Sequence, residues 1–196
     1  IELVYLYYLL IKMSLLSKST SLKQKKSPNN IFERICNIIN YINRIAGYIC
    51  SILVVLMTLN VFLVVILRYL FGISFIWMQE TYVWMHAYIF MLGAGFTYLN
   101  DDHVRIDIIY RSSSQIYKTI VDLVGIVFFL FPLLYIIWIF SYPFVYKSWQ
   151  MNEISREAGG LSMLYLLKFA ILLFVILLFL QAISKVINYL LYIFKK

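Results

Sequence analysis

The sequence predicts an all-α integral membrane protein of four transmembrane helices. Both termini are expected in the cytoplasm (N-in/C-in), with an N-terminal amphipathic helix at the membrane surface. Three observations predict this. Residues 45–67, 81–100, 123–146 and 161–184 are nearly free of charge. Each is close to the ~20 residues a helix needs to cross ~30 Å of hydrocarbon. Hydrophobic residues make up 63% of the 196, and mean hydropathy is +0.86. That is more apolar surface than a soluble domain of this length can hide, and the charged fraction of 13% is about half the usual ~25%.

The third observation is the placement of the 17 Lys and Arg residues. Seven precede the first span, three follow the second and three follow the fourth. With four spans these thirteen share one side, against four on the other. An excess of Lys and Arg marks the cytoplasmic side. Trp77, Trp84, Trp138 and Trp149 then fall near the outer interface, where aromatic belts form. The net charge of +8 is thus used by topology, and no nucleic-acid partner is expected.

The elements follow in order. Residues 1–30 read as a cytoplasmic tail rich in Ser and Lys. Its first 12 residues are too short to span and read as a mis-assigned start, with Met13 as initiator. From residue 31 to about 187 runs a four-helix membrane domain. Ile31, Ile35, Ile38, Ile42 and Ile45 recur at helical spacing, with Glu33, Arg34, Asn37, Asn40 and Arg44 on the other face. This gives a surface helix or, alternatively, a cytoplasmic extension of the first span.

The spans are expected at about 46–67, 81–100, 121–143 and 163–185. Gly72 and Ser74 supply the first turn. Gly93-Ala94-Gly95 lets another helix approach the second span closely. Pro132 predicts a mild kink in the third. Lys168 is expected to snorkel to the outer interface. Residues 188–196 read as a cytoplasmic tail.

Few residues offer chemistry. Asp101, Asp102, His103 and Asp107 come nearest to a metal cluster, but in a mixed-charge loop without ligand spacing. His86 lies within the second span, where an intramembrane His can ligate haem. His103, the other His, falls toward the opposite side. Asp122 is one turn past Lys118, within reach of an i, i+4 pair, and reads as an interface anchor. Cys36 and Cys50 would lie about 21 Å apart on one helix, too far for a disulfide. Arg68 and Glu80 are brought to similar depth by the short first loop, which predicts an interfacial ion pair. No catalytic, cofactor-binding or metal-binding residue is expected. No span carries the several ionisable groups an ion path needs.

Three blocks of sequence resemble a known family. They are Arg68–Glu80 (RYLFGISFIWMQE); Gly93-Ala94 leading to Asp102-His103-Val104-Arg105-Ile106-Asp107; and Trp149, Glu153 and Ser155 with Glu157-Ala158-Gly159-Gly160-Leu161, Lys168 and Leu180-Gln181. Together they are similar to the small permease subunit of tripartite ATP-independent periplasmic (TRAP) transporters, the DctQ family. The third block looks most like members linked to mannitol or chloroaromatic compounds. Ser162 departs from the proline common there.

The resemblance implies a scaffold beside a large permease subunit of DctM type, served by a periplasmic substrate-binding protein in the bacterial inner membrane. Uptake of organic acids or related compounds would be driven by an ion gradient, with the coupling ion, commonly sodium, on the large subunit. Membrane lipid is the remaining partner. The resemblance makes Arg68, Trp77, Glu80, Gly93, His103, Asp107, Trp149, Glu153, Gly159 and Gly160 candidate structural or subunit-interface residues. The alternatives are a haem-binding anchor of a redox enzyme, through His86, and a free-standing four-span protein.

Overall fold

The computed structural model describes residues 31–103 and 113–194. All regular structure among them is helical. The elements are α1 (Ile31–Phe71), α2 (Ile76–Leu99), α3 (Gln115–Gly125), a π-helical turn (Ile126–Leu130), α4 (Phe131–Gln150) and α5 (Leu164–Phe194).

α1 corrects one expectation. The predicted surface helix and first span form a single uninterrupted helix of 41 residues, about 62 Å long. The alternative of an extended first span is the one adopted. The reason lies in which face is buried. Ile31, Ile35, Ile38, Ile42 and Ile45 are exposed, while Cys36, Ile39 and Asn43 face inward. Polar Asn43 is packed against α5, so this segment cannot peel away to lie on a surface. At the far end Gly72 adopts φ +68°, and the Ile73 N–H reaches the Leu67 carbonyl at 3.0 Å. A glycine tolerates this left-handed turn without steric cost.

α2 ends at Leu99, where Asp101 turns at φ 58° and the Asp102 N–H bonds to the Thr97 carbonyl. α3 starts under a cap from Ser114, which accepts the Tyr117 N–H, satisfying one of the free donors of a helix start. Just before Pro132, where a mild kink is expected, a π turn runs over Ile126–Leu130. Proline has no N–H and its ring crowds the preceding turn. A widened turn just before it absorbs both defects while the helical run continues to Gln150. Pro143 lies farther along the same run. α5 begins after Met163, itself at φ 74°, and continues to Phe194, about 46 Å.

α5 is the centre of the packing. It touches α1, α2, α3 and α4, whereas α4 packs on α5 alone apart from the adjoining π turn. One core cluster joins Ala46 and Cys50 of α1, Leu92 of α2 and Leu177 of α5. A second joins Leu134 of α4 to Val175 and Leu178 of α5. Three helical stretches are long and apolar enough to cross a membrane: Ile31–Phe71, Gln115–Gln150 and Leu164–Phe194. α2 has 24 residues, about 36 Å, but carries Gln79, Glu80 and His86.

Candidate functional site

Two polar constructions tie the helices together, one at each end of the bundle. The first is at the end where α4 hands over to α5. Residues 151–163 form a strap, turned by left-handed Asn152 (φ 47°) and Gly159 (φ 80°). Its start is pinned by the Glu153 N–H to the Ser148 carbonyl at 3.1 Å, and its end by the Leu164 N–H to the Glu153 carbonyl at 2.9 Å.

Two carboxylates hold the strap. Glu80, projecting from the second turn of α2, accepts the Leu161 N–H at 2.5 Å and the Ser155 hydroxyl. Glu153 accepts the Ser148 hydroxyl at 2.5 Å and the Lys168 ammonium. Lys168 also stands 4.1 Å over the Phe144 ring, a cation–π geometry. The Lys168 hydrogen bond first, then that of Ser148, hold the Glu153 carboxyl below its ordinary range. A carboxylate whose charged form receives hydrogen bonds is stabilised in that form. Gly160 passes directly under Glu80. A Cβ there would stand 2.8 Å from Glu80 Oε2 and 2.6 Å from Ser155 Oγ.

The second construction lies between α1 and the later half of α5. Asn43 Nδ2 donates to Gln181 Oε1 at 2.9 Å, and Gln181 Nε2 donates to Asn40 Oδ1 at 3.0 Å. The Ser184 hydroxyl donates to the same Asn40 oxygen at 3.2 Å, and Cys36 Sγ donates to the Ser184 carbonyl. Asn43, Gln181 and Ser184 are buried. In an apolar setting such a chain is worth more than each bond in water, because the alternative is an unpaired polar group. Asn43 Oδ1 has no partner. It fills the space a Cβ of Gly95 would need.

Nearby, Lys185 pairs with Asp101 and lies 4.3 Å over the Tyr98 ring. Tyr189 donates to Asp122 Oδ2 at 3.1 Å. Asp122 is thus tied to α5 through Tyr189.

The sequence candidates sort accordingly. Glu80, Glu153, Gly159 and Gly160 are brought together in the strap. Arg68 is not. Among the described residues no ion pair joins Arg68 to Glu80, which corrects that expectation. Glu80 points to the strap, while Arg68 is exposed on the last turn of α1. Trp77 is 47% exposed and tilts against Phe75. Trp149 packs on Tyr165 with ring centroids 4.7 Å apart.

Gly93 has open space around it, with Cys50 Sγ at 3.9 Å from a hypothetical Cβ. The close approach belongs to Gly95 and to Gly47, whose added Cβ would overlap the Phe96 ring. His103 sits beside the Tyr98 ring at 5.7 Å, and Asp107 lies outside the described residues. His86 is exposed on α2. Among the described residues no group of three or more His, Cys, Asp or Glu could hold a metal. Cys36 and Cys50 are free and buried.

The sequence reading missed the Asn40–Asn43–Gln181–Ser184 chain as a unit. Its signal was present: a glutamine inside a run without charge, and asparagines one turn apart. A run of uncharged polar residues on a predicted span marks a helix contact more than a charge does.

This arrangement contains clamps and helix contacts, and one comparison covers most of the residues that form them. The family described as tripartite ATP-independent periplasmic transporters, DctQ component, matches residues 57–191. This chain belongs to that family. The matched stretch includes α2, the strap and the first 28 residues of α5. No curated protein and no solved structure matches the chain. As a DctQ component it is the small membrane subunit of a TRAP transporter. The strap's Glu80, Ser155 and Gly160 fall inside the matched residues, whereas Asn40 and Asn43 fall before them.

Proposed function

We propose that this chain is the scaffold of a TRAP-type secondary transporter in the bacterial inner membrane. It crosses the membrane four times with both termini cytoplasmic. It braces a large DctM-like permease subunit that carries the substrate and the coupling ion, sodium. A periplasmic binding protein delivers an organic acid or related anion to the pair. The chain itself forms and breaks no bonds.

The match to the DctQ component over residues 57–191 carries this reading. The character of the clamps supports it. The carboxylates of Glu80, Glu153, Asp101 and Asp122 are each committed to a neighbouring helix or strap. Residues spent in this way hold shape, and a transport path needs groups free to bind and release.

The test is co-expression of the tagged chain with a DctM-like large permease. Purification in mild detergent should recover both, and proteoliposomes should take up substrate only when both are present. Uptake by this chain alone would refute the scaffold role.

A further inference from the structure

α4 has one partner, α5, and its remaining faces are open. On one of them Tyr135, Trp138, Tyr142 and Tyr146 recur at intervals of three, four and four residues, a single helical stripe. Trp138 stacks on Tyr142 with centroids 6.0 Å apart, and Tyr142 on Tyr146 at 6.1 Å. The lower end of the stripe opens into a groove of about 320 Å³ between α4 and α5, with Ile176 and Phe179 on its far wall.

The hydroxyls decide what kind of surface this is. Tyr135 is 66% exposed and lies 15 residues before the end of α4, about 22 Å along the helix. It lies 20 residues after the start of the helical run at Gln115, so its hydroxyl sits near mid-span. Among the described residues that hydroxyl has no hydrogen-bond partner. Tyr88 and Tyr189, by contrast, bond to Leu166 and Asp122 on neighbouring helices. A hydroxyl left in hydrocarbon without a partner costs several kcal/mol in the limit of a fully apolar medium.

The exposed face of α1 differs. Ile52, Leu56, Leu59, Phe62 and Leu63 cover it, and its Thr58 hydroxyl is already satisfied by the Val54 carbonyl at 2.9 Å. The unpartnered Asn60 Oδ1 of α1 is buried and does not open onto that face. The α4 stripe asks for an acceptor.

We infer that the Tyr135–Tyr146 stripe and the α4/α5 groove are the docking surface for a transmembrane helix of the large permease subunit. That helix seats an aliphatic ridge in the groove and presents a hydrogen-bond acceptor to the Tyr135 hydroxyl. The unmet donor at mid-span favours a protein helix, which can bring an acceptor, over an acyl chain, which has none at that depth. This assignment rests on the scaffold reading and adds to it which face is used.

The experiment uses the co-expressed complex in its native membrane. Photoreactive benzoylphenylalanine is placed at position 135 or 179 on the proposed surface, and at 59 or 62 on α1. Adducts with the large subunit are expected from 135 and 179, and lipid adducts alone from 59 and 62. Tyr135→Phe, which keeps the ring, should lower recovery of the large subunit about three- to tenfold, while Leu59→Ala leaves it unchanged. Protein adducts from α1 only, or lipid adducts only at 135 and 179 with the complex intact, would overturn the surface while leaving the scaffold role. Failure of the unaltered chain to co-purify at all would overturn both.

Discussion

Glu80 accepts the backbone N–H of Leu161 at 2.5 Å across 81 positions of sequence. One carboxylate on α2 thereby holds the strap that leads into α5. A charged acceptor makes this bond stronger than a neutral one, worth about 1.5–3 kcal/mol. The same residue was expected to pair with Arg68, and the two readings give different mutational behaviour.

Glu80→Ala should destabilise the purified protein by about 1.5–3 kcal/mol, read as a lower unfolding midpoint in detergent. Arg68→Ala should change it by less than about 0.5 kcal/mol. Combined, Arg68→Ala and Glu80→Ala should be additive. Glu80→Ala and Ser155→Ala should not be, since the second removal finds the bond already gone. A coupling of Arg68 with Glu80 above about 1 kcal/mol would restore the ion pair.

Gly95→Ala should be damaging and Gly93→Ala should not. A methyl on Gly95 meets Asn43 Oδ1 and stands 3.2 Å from Leu177 Cβ, while one on Gly93 meets only Cys50 Sγ at 3.9 Å. Overpacking of this kind costs about 1–3 kcal/mol. Thermal unfolding of the two variants side by side gives the answer. Equal effects would mean that α1 and α2 are not packed at Gly95 as described.

The Glu153 clamp sets an acid limit. Its carboxyl is held below the ordinary value, first by the Lys168 hydrogen bond. A depressed folded value means that the stabilisation is complete above the unfolded value of about 4.3 and is lost as pH falls through the folded one. Trp149, packed at a tilt against Tyr165 beside the strap, reports the opening by fluorescence. The acid transition should fall below about pH 4.3 in the unaltered protein and move up toward that value in Lys168→Met. No movement would mean that Lys168 does not hold the carboxylate.

The seam between α1 and α5 depends on both partners being polar. Asn43→Ala removes the donor to Gln181 Oε1 and should cost about 1–3 kcal/mol through the unpaired group left behind. Asn43→Leu with Gln181→Leu should recover much of that loss, because the unpaired Gln181 oxygen is removed with its donor and Asn40 Oδ1 keeps the Ser184 hydroxyl. Unfolding midpoints of the single and double variants decide it; a double variant as weak as the sum would contradict the hydrogen-bonded seam.

The helical class was legible because charge-free runs near 20 residues have few other uses. Single residues fared by what set them. Gly159 and Gly160 were readable, since a glycine pair between two spans implies a turn, and Gly159 indeed takes φ +80°. The Arg68–Glu80 pair failed because depth along a membrane says nothing about which side of a helix a residue faces. Glu80 is turned toward the strap by α2's own rotation. The isoleucines of α1 misled for a related reason. Glu33, Arg34 and Asn37 are exposed together with the isoleucines, and it is Asn43, with Cys36 and Ile39, that faces in, so the two-faced pattern does not mark the buried face. Gly95 rather than Gly93 could not be chosen from sequence, because two positions differ by 200° around the helix and only the neighbour's placement selects between them.

The central claim is that this chain is a scaffold and works only beside a larger permease. Substrate uptake into proteoliposomes holding this chain, the large permease, or both, in the presence of the binding protein and an inward sodium gradient, tests it most directly. Uptake is expected from the pair and none from either alone. Uptake by the large permease alone at the rate of the pair would contradict it.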